Sequence, residues 1–136
     1  RLFNVYGHGQ KKPFLIPDII HSITNTEKLT IRTPNAVRDF IHVSDVVKAF
    51  INCLESNLNG LQIFNIGSGR ATRISEIVDI IGSYSDKPLN VEHRDEDEAD
   101  ANLESGIIAD TQHARTILNW DSKIDLRQGL KSLITF

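Results

Sequence analysis

Short apolar runs closed by turn residues alternate along this chain with stretches whose apolar residues recur at helical spacing. That alternation confines the fold to the α/β class, because each helix must bury its apolar stripe against the strands it connects. "RLFNV" reads as a strand, closed by the glycine-containing loop "YGHGQKKP". From Phe14 to about Thr24, the residues Leu15, Ile16, Ile19, Ile20 and Ile23 fall on one helical stripe. "LTI" and "VRDFIHV" read as two strands joined by the turn "RTPNA". Ser44 or Asp45 is placed to cap a helix reaching about Ser56, with Val46, Val47, Phe50, Ile51 and Leu54 expected on its buried side. "LQIFNIGSG" reads as a further strand ending in a glycine loop. Thr72 is placed to cap a helix whose Ile74, Ile77, Val78 and Ile81 face inward. A short strand "LNVEH" precedes the acidic stretch "RDEDEADANLE", read as a solvated loop. "GIIAD" then brings the chain back to a helix capped by Asp110 or Thr111. The last helix opens at Asp125 with Gln128 three residues on, the spacing of a capping box.

Size and charge exclude several functions. At 136 residues the chain fits one domain and is short for an enzyme that must hold both a cofactor and a substrate. It is 40% hydrophobic and 24% charged, the balance of a folded globular unit. No apolar run approaches the roughly 18 to 20 residues of a membrane span, and the first residues lack a signal pattern, so the expected location is the cytoplasm. The net charge of −3, with acids gathered between Glu92 and Glu104, argues against nucleic acid as a partner. Cys53, alone and among apolar neighbours, reads as a core thiol. The chain has no methionine and begins inside a strand-like run, which predicts a further portion upstream.

The residue types of common catalytic sites are poorly arranged here. None of the five histidines pairs with another at metal-binding helical spacing, and the acidic run lacks the turn glycine of a calcium loop, so no metal site is expected. "NIGSGRATR" sets Gly67 and Gly69 between a strand and a helix, with Arg70 and Arg73 beside the helix start. Free amides and positive charge converge there, as an anion site requires, although a glycine pair also serves a plain tight turn. No G-x-G-x-x-G follows any strand, so the chain offers no fingerprint for a dinucleotide pyrophosphate.

Taken in order, "RLFNVYGHGQ", "LIPDII", "VRDFIHVSDVVKAF", "FNIGSGRATRISEIV", "ADTQHARTILNW" and "DLRQGL" resemble the carboxyl-terminal part of the extended short-chain dehydrogenase/reductase family, the NAD-dependent nucleotide-sugar epimerases and dehydratases. The resemblance runs from Arg1 to about Leu133. It implies a small mixed α/β substrate-binding domain of a Rossmann-type enzyme, lacking the amino-terminal dinucleotide-binding sheet. Residues 1–136 would form the nucleotide-sugar-binding domain, with 1–6 a strand of the Rossmann domain. Members carry a Tyr-x-x-x-Lys pair, but here Tyr6 and Tyr84 are followed four positions later by Gln10 and Pro88, so no catalytic residue is expected in this chain. The implied cofactor is NAD or NADP, held mainly by the other half. The implied partner is a nucleoside diphosphate sugar, and the implied parent is a homodimer. Epimerisation, dehydration and 4-ketoreduction all remain open, as does a noncatalytic binding or regulatory module that has lost the catalytic pair.

Residue by residue, the resemblance makes Asn4 a ligand of the substrate's diphosphate and sugar end. It sets Phe3 beside the nicotinamide, Leu15 beneath the nucleoside base, and Thr30 and Arg32 around that base. Arg38 matches the arginine of R-D-(F/Y/W)-(I/V/L/T)-(H/Y)-V, which pairs with the diphosphate. Strand alternation independently places Arg38, Phe40 and His42 on one face and Val37, Asp39, Ile41 and Val43 on the other. A guanidinium can grip two phosphate oxygens in a fork that lysine cannot reproduce, while the plainer alternative is an ion pair with a neighbouring acid. Arg94 is the nearest match to a second phosphate-binding arginine, although the Gly-Asp that usually follows is absent. The first strand is further expected to present an open edge and apolar surface that the other half would cover, favouring self-association of this chain alone.

Overall fold

A computed structural model of the chain describes residues 1–93 and 106–134. Its elements run β1 (Asn4–Tyr6), α1 (Leu15–Asn25), β2 (Leu29–Ile31), β3 (Val37–Arg38), β4 (Phe40–His42), α2 (Val43–Glu55), β5 (Thr72–Arg73), α3 (Ile74–Gly82), β6 (Val91–His93), α4 (Gln112–Leu118) and α5 (Leu126–Leu133). β1 pairs in parallel with β4, Asn4 opposite Phe40 and Tyr6 opposite His42. β2 pairs in parallel with β6, and β3 pairs antiparallel with β5.

The "VRDFIHV" run is not one strand. It breaks at Asp39 because its two ends pair with different partners, Val37 and Arg38 with Arg73 and Thr72, and Phe40 to His42 with β1. "LQIFNIGSG" contributes a parallel bridge between Ile66 and Leu2 instead of a full strand. That bridge changes the reading of the first strand as an open edge. The Phe3 amide donates to the Ile66 carbonyl at 3.1 Å and the Ile66 amide to Arg1 at 2.9 Å, whereas the Asn4 amide turns the other way, to the Asp39 carbonyl at 3.0 Å. Successive residues of an extended strand point their polar groups to opposite sides, so Arg1 and Phe3 bond to Ile66 on one side while Asn4 bonds toward β4 on the other.

The same alternation divides the interior into two cores. Tyr6 and Phe40 enter a cluster built from Ile16, Ile19 and Ile23 of α1, Leu29 and Ile31 of β2, and Ile77, Ile80 and Ile81 of α3. Ile41, with Val5 packed against it, faces a second cluster made by Val46, Ala49, Phe64, Ile66, Ala114, Leu118 and Trp120. The pair β1 and β4 is therefore the partition between the cores.

Local start signals are partly as expected. Asp125 caps α5, accepting from the amides of Arg127 and Gln128, and Asp110 accepts from the Gln112 amide at the head of α4. α2, however, begins at Val43, and its N-cap is His42, whose Nδ1 accepts from the Ser44 amide at 3.2 Å. Asp45 is buried instead and serves tertiary structure: its carboxylate accepts from the amides of Lys123 and Ile124, and its carbonyl accepts from Trp120 Nε1 at 2.9 Å. Thr72 lies in β5 and does not cap α3, whose N-cap residue is Arg73. The larger departure is on α2. Val46 and Ala49 are buried, but Val47, Phe50, Ile51 and Leu54 are exposed, Leu54 at 87%. α2 thus carries more apolar surface than this chain covers.

Candidate functional site

Four of the expected site residues converge. Phe3 and Asn4 at the start of β1, Leu15 at the start of α1, and Arg38 at the end of β3 line one cavity of about 550 Å³, with Gln10 and Phe14 also in its wall. Phe40 and Ile74 border it as well, so the cavity rests on the same residues that hold β4 and α3 to the first core. The wall is mixed in chemistry: apolar and aromatic side chains surround a guanidinium and two carboxamides. Such a lining suits a ligand with a flat or apolar end and a polar, anionic end.

Each polar group donates to a backbone carbonyl. Asn4 donates from Nδ2 to the Asp39 carbonyl at 3.0 Å, and Gln10 donates from Nε2 to the Val5 carbonyl at 3.0 Å. Arg38 donates from Nη1 to the Val37 carbonyl at 2.7 Å. Arg38 and Phe40 border the cavity, whereas Asp39 between them is fully buried on the opposite side, as strand alternation requires.

Other expectations fall elsewhere. Thr30, on the outward side of a strand whose Leu29 and Ile31 are buried, and Arg32, just beyond its end, are exposed, and neither lines this cavity. Arg94 lies outside the described residues. The "NIGSG" loop resolves in favour of a tight turn. Its free amides are taken by the chain's own carboxylate: Ser68 donates to Asp39 Oδ1 at 2.7 Å and Gly69 to Oδ2 at 2.9 Å. Arg70 pairs with Asp125 at 3.4 Å. The anion called for by that loop is thus Asp39, which sequence reasoning had placed only as a neighbour of Arg38. The available signal was an acid inside an otherwise apolar run.

This occupancy also decides the fit of a dinucleotide. The turn at Gly67 to Gly69 cannot cradle a pyrophosphate, since its Ser68 and Gly69 amides are spent on Asp39. Phe3 can form part of a wall, and a complete cofactor site does not fit the residues present. Among the described residues there is no cluster of His, Cys, Asp and Glu that could hold a metal. Likewise, no helix among them is long and apolar enough to cross a membrane.

The class of fold is that of known nucleotide-sugar enzymes. MoeE5 in complex with UDP-glucose and NAD superposes with a TM-score of 0.86 at 27% identity, over 98% of this chain and 44% of that one. The UDP-glucose 4-epimerase of Thermotoga maritima, solved with UDP-glucose, gives a TM-score of 0.80 at 28% identity, over 98% of this chain and 43% of that one. In sequence, the dTDP-4-dehydro-6-deoxyglucose reductase of Escherichia coli is 33% identical over 138 residues, covering 98% of this chain and 42% of the reductase. The family model described as NAD dependent epimerase/dehydratase family matches residues 1–67. The chain therefore belongs to the NAD-dependent epimerase/dehydratase family, and it spans less than half the length of the relatives it matches.

Proposed function

We propose that residues 1–136 are the carboxyl-terminal, nucleotide-sugar-binding part of an NAD(P)-dependent nucleotide-sugar epimerase or dehydratase, with residues 1–6 a strand of its Rossmann domain. The observation that carries this reading is the convergence of Phe3, Asn4, Leu15 and Arg38 on one cavity. Leu15 and Phe14 supply an apolar surface for a base, while Arg38 supplies the charge for a diphosphate. Asn4 adds a carboxamide to the same wall. Thr30, Arg32 and Arg94 are kept as contacts from outside this group. The bound NAD or NADP of the longer protein supplies a hydride acceptor for a sugar carbon, and this chain's residues bind and orient the sugar nucleotide. Without a Tyr-x-x-x-Lys pair, the chain alone is catalytically inert. The parent is a cytoplasmic homodimer in this reading.

A second reading, 4-ketoreduction, is favoured by the 33% identity to the E. coli reductase. A noncatalytic binding module is the rival from another class. Calorimetric titration of the chain and of the longer protein with UDP-, dTDP-, GDP- and CDP-sugars separates these, combined with nicotinamide absorbance during turnover. Binding is expected for one nucleotide class, weak in the chain alone, with turnover only in the longer protein. Arg38→Ala should weaken that binding by about 1.5 to 3 kcal/mol, the value of a charge-assisted contact. Absence of both binding and turnover with every nucleotide sugar would discard the reading, and binding without turnover in the longer protein would favour the module.

A further inference from the structure

We infer that Asp39 is a positioning residue for the cavity, acting through Asn4 and Arg38 without touching a ligand; the inference rests on the nucleotide-sugar reading and deepens it. Asp39 is 0% exposed, yet its carboxylate accepts four hydrogen bonds among the described residues. Oδ1 takes the Ser68 amide at 2.7 Å and the Ser68 hydroxyl at 2.6 Å, and Oδ2 takes the Gly69 amide at 2.9 Å and the Ala109 amide at 3.0 Å. Its carbonyl accepts two more, from the Asn4 amide and from Asn4 Nδ2, each at 3.0 Å. One residue therefore joins the first strand, the glycine turn and the segment that returns at Ala109.

The chemistry requires a carboxylate at this place. Ionised, it has lone pairs enough for four donors and no hydrogen of its own. An asparagine of the same shape keeps one acceptor oxygen, and its NH₂ group would face backbone N–H donors, setting donor against donor. The space is equally restrictive. A Cβ on Gly67 would lie 2.7 Å from Asp39 Oδ2 and 2.5 Å from the Ala109 Cβ, so the turn can close on the carboxylate only with glycine there. Arg38 immediately precedes Asp39 in the chain and Asn4 is bonded to the Asp39 carbonyl, so a shift of residue 39 moves both groups at the cavity wall together.

The test is a double-mutant cycle on UDP-glucose affinity, with Asp39→Asn, Arg38→Ala and the two combined, read by calorimetry below the unfolding temperature of every variant. Asp39→Asn is expected to weaken binding about tenfold, and to weaken it by clearly less than that in the Arg38→Ala background, where only the route through Asn4 remains. A purely structural Asp39 would lower the unfolding temperature, leave affinity unchanged and give additive losses, which overturns the inference. If Asp39→Asn does not fold, Ser68→Ala, which removes one of the four bonds, replaces it with an expected loss of about threefold. If the unaltered chain binds no UDP-glucose, side-chain nitrogen NMR of Asn4 and Arg38 still decides the matter. Their resonances should move in Asp39→Asn while the isoleucine methyl spectrum stays dispersed, and unmoved resonances would refute Asp39 independently of the nucleotide-sugar reading.

Discussion

His42 shows how much one side chain can commit to the neutral form. Its Nδ1 accepts from the Ser44 amide at the start of α2, so its proton must sit on Nε2, which is buried and has no partner among the described residues. The ring stands edge-to-face with Tyr6, their centroids 5.3 Å apart. Burial pushes the His42 pKa below its ordinary 6.5; the Asp45 charge opposes that shift and the nearby His8 adds to it. For Tyr6, burial chiefly raises the pKa, with Asp45 and Asp125 adding to it. The sign for stability follows from linkage: the folded chain binds the His42 proton less readily than the unfolded chain. Stability from this group is therefore present above pH 6.5 and lost as pH falls through the lower, folded value. Thermal unfolding between pH 7.5 and pH 5 should show a decline that is smaller in His42→Gln, and equal declines would refute the neutral cap. This role was not legible from a lone histidine at the end of a strand, because it depends on where the chain turns into α2.

At the scale of elements, helical stripes were readable and their surroundings were not. Ile16, Ile19 and Ile23 on α1 and Ile77 and Ile81 on α3 are buried as their spacing predicts. The capping acid Asp125 is likewise legible, because an N-cap is a local interaction between a side chain and amides two or three residues on. The turn after Ile66 was ambiguous between an anion site and a tight turn, since both require the same glycines. It was decided by a carboxylate 28 and 30 positions away from Gly67 and Gly69, held in place by pairing of β3 and β4 with different partners. Gly67→Ala should lower stability by about 1 to 3 kcal/mol, as overpacking of a tight interior does, measured by denaturant unfolding. Gly60→Ala tests the space argument from the other side: an added Cβ there meets nothing within 4 Å, so only its left-handed backbone, at φ 68°, resists the change.

At the scale of the whole molecule, the exposed face of α2 is an unmatched apolar surface. Val47 is 51% exposed, Phe50 58% and Leu54 87%, and Leu2 and Ile63 are also about half exposed. Related proteins are more than twice as long as the region they share with this chain, so a longer polypeptide has material to cover that face. Alone, the chain is expected to self-associate through it. Leu54→Glu with Phe50→Glu should shift sedimentation toward monomer while leaving the unfolding temperature nearly unchanged. Continued association of that double variant would place the contact on another surface.

The sequence by itself determined the α/β class, the helical stripes and the motif that puts an arginine at Arg38, because periodicity and ordered motifs are properties of neighbouring residues. Tertiary structure alone decided that Phe3, Asn4, Leu15 and Arg38 share a cavity while Thr30 and Arg32 do not. It alone decided that the glycine turn binds Asp39, and that Val47, Phe50, Ile51 and Leu54 on α2 stay exposed. Those outcomes rest on contacts between segments tens of residues apart. Such contacts depend on which strands pair and in what register, and no local pattern encodes that.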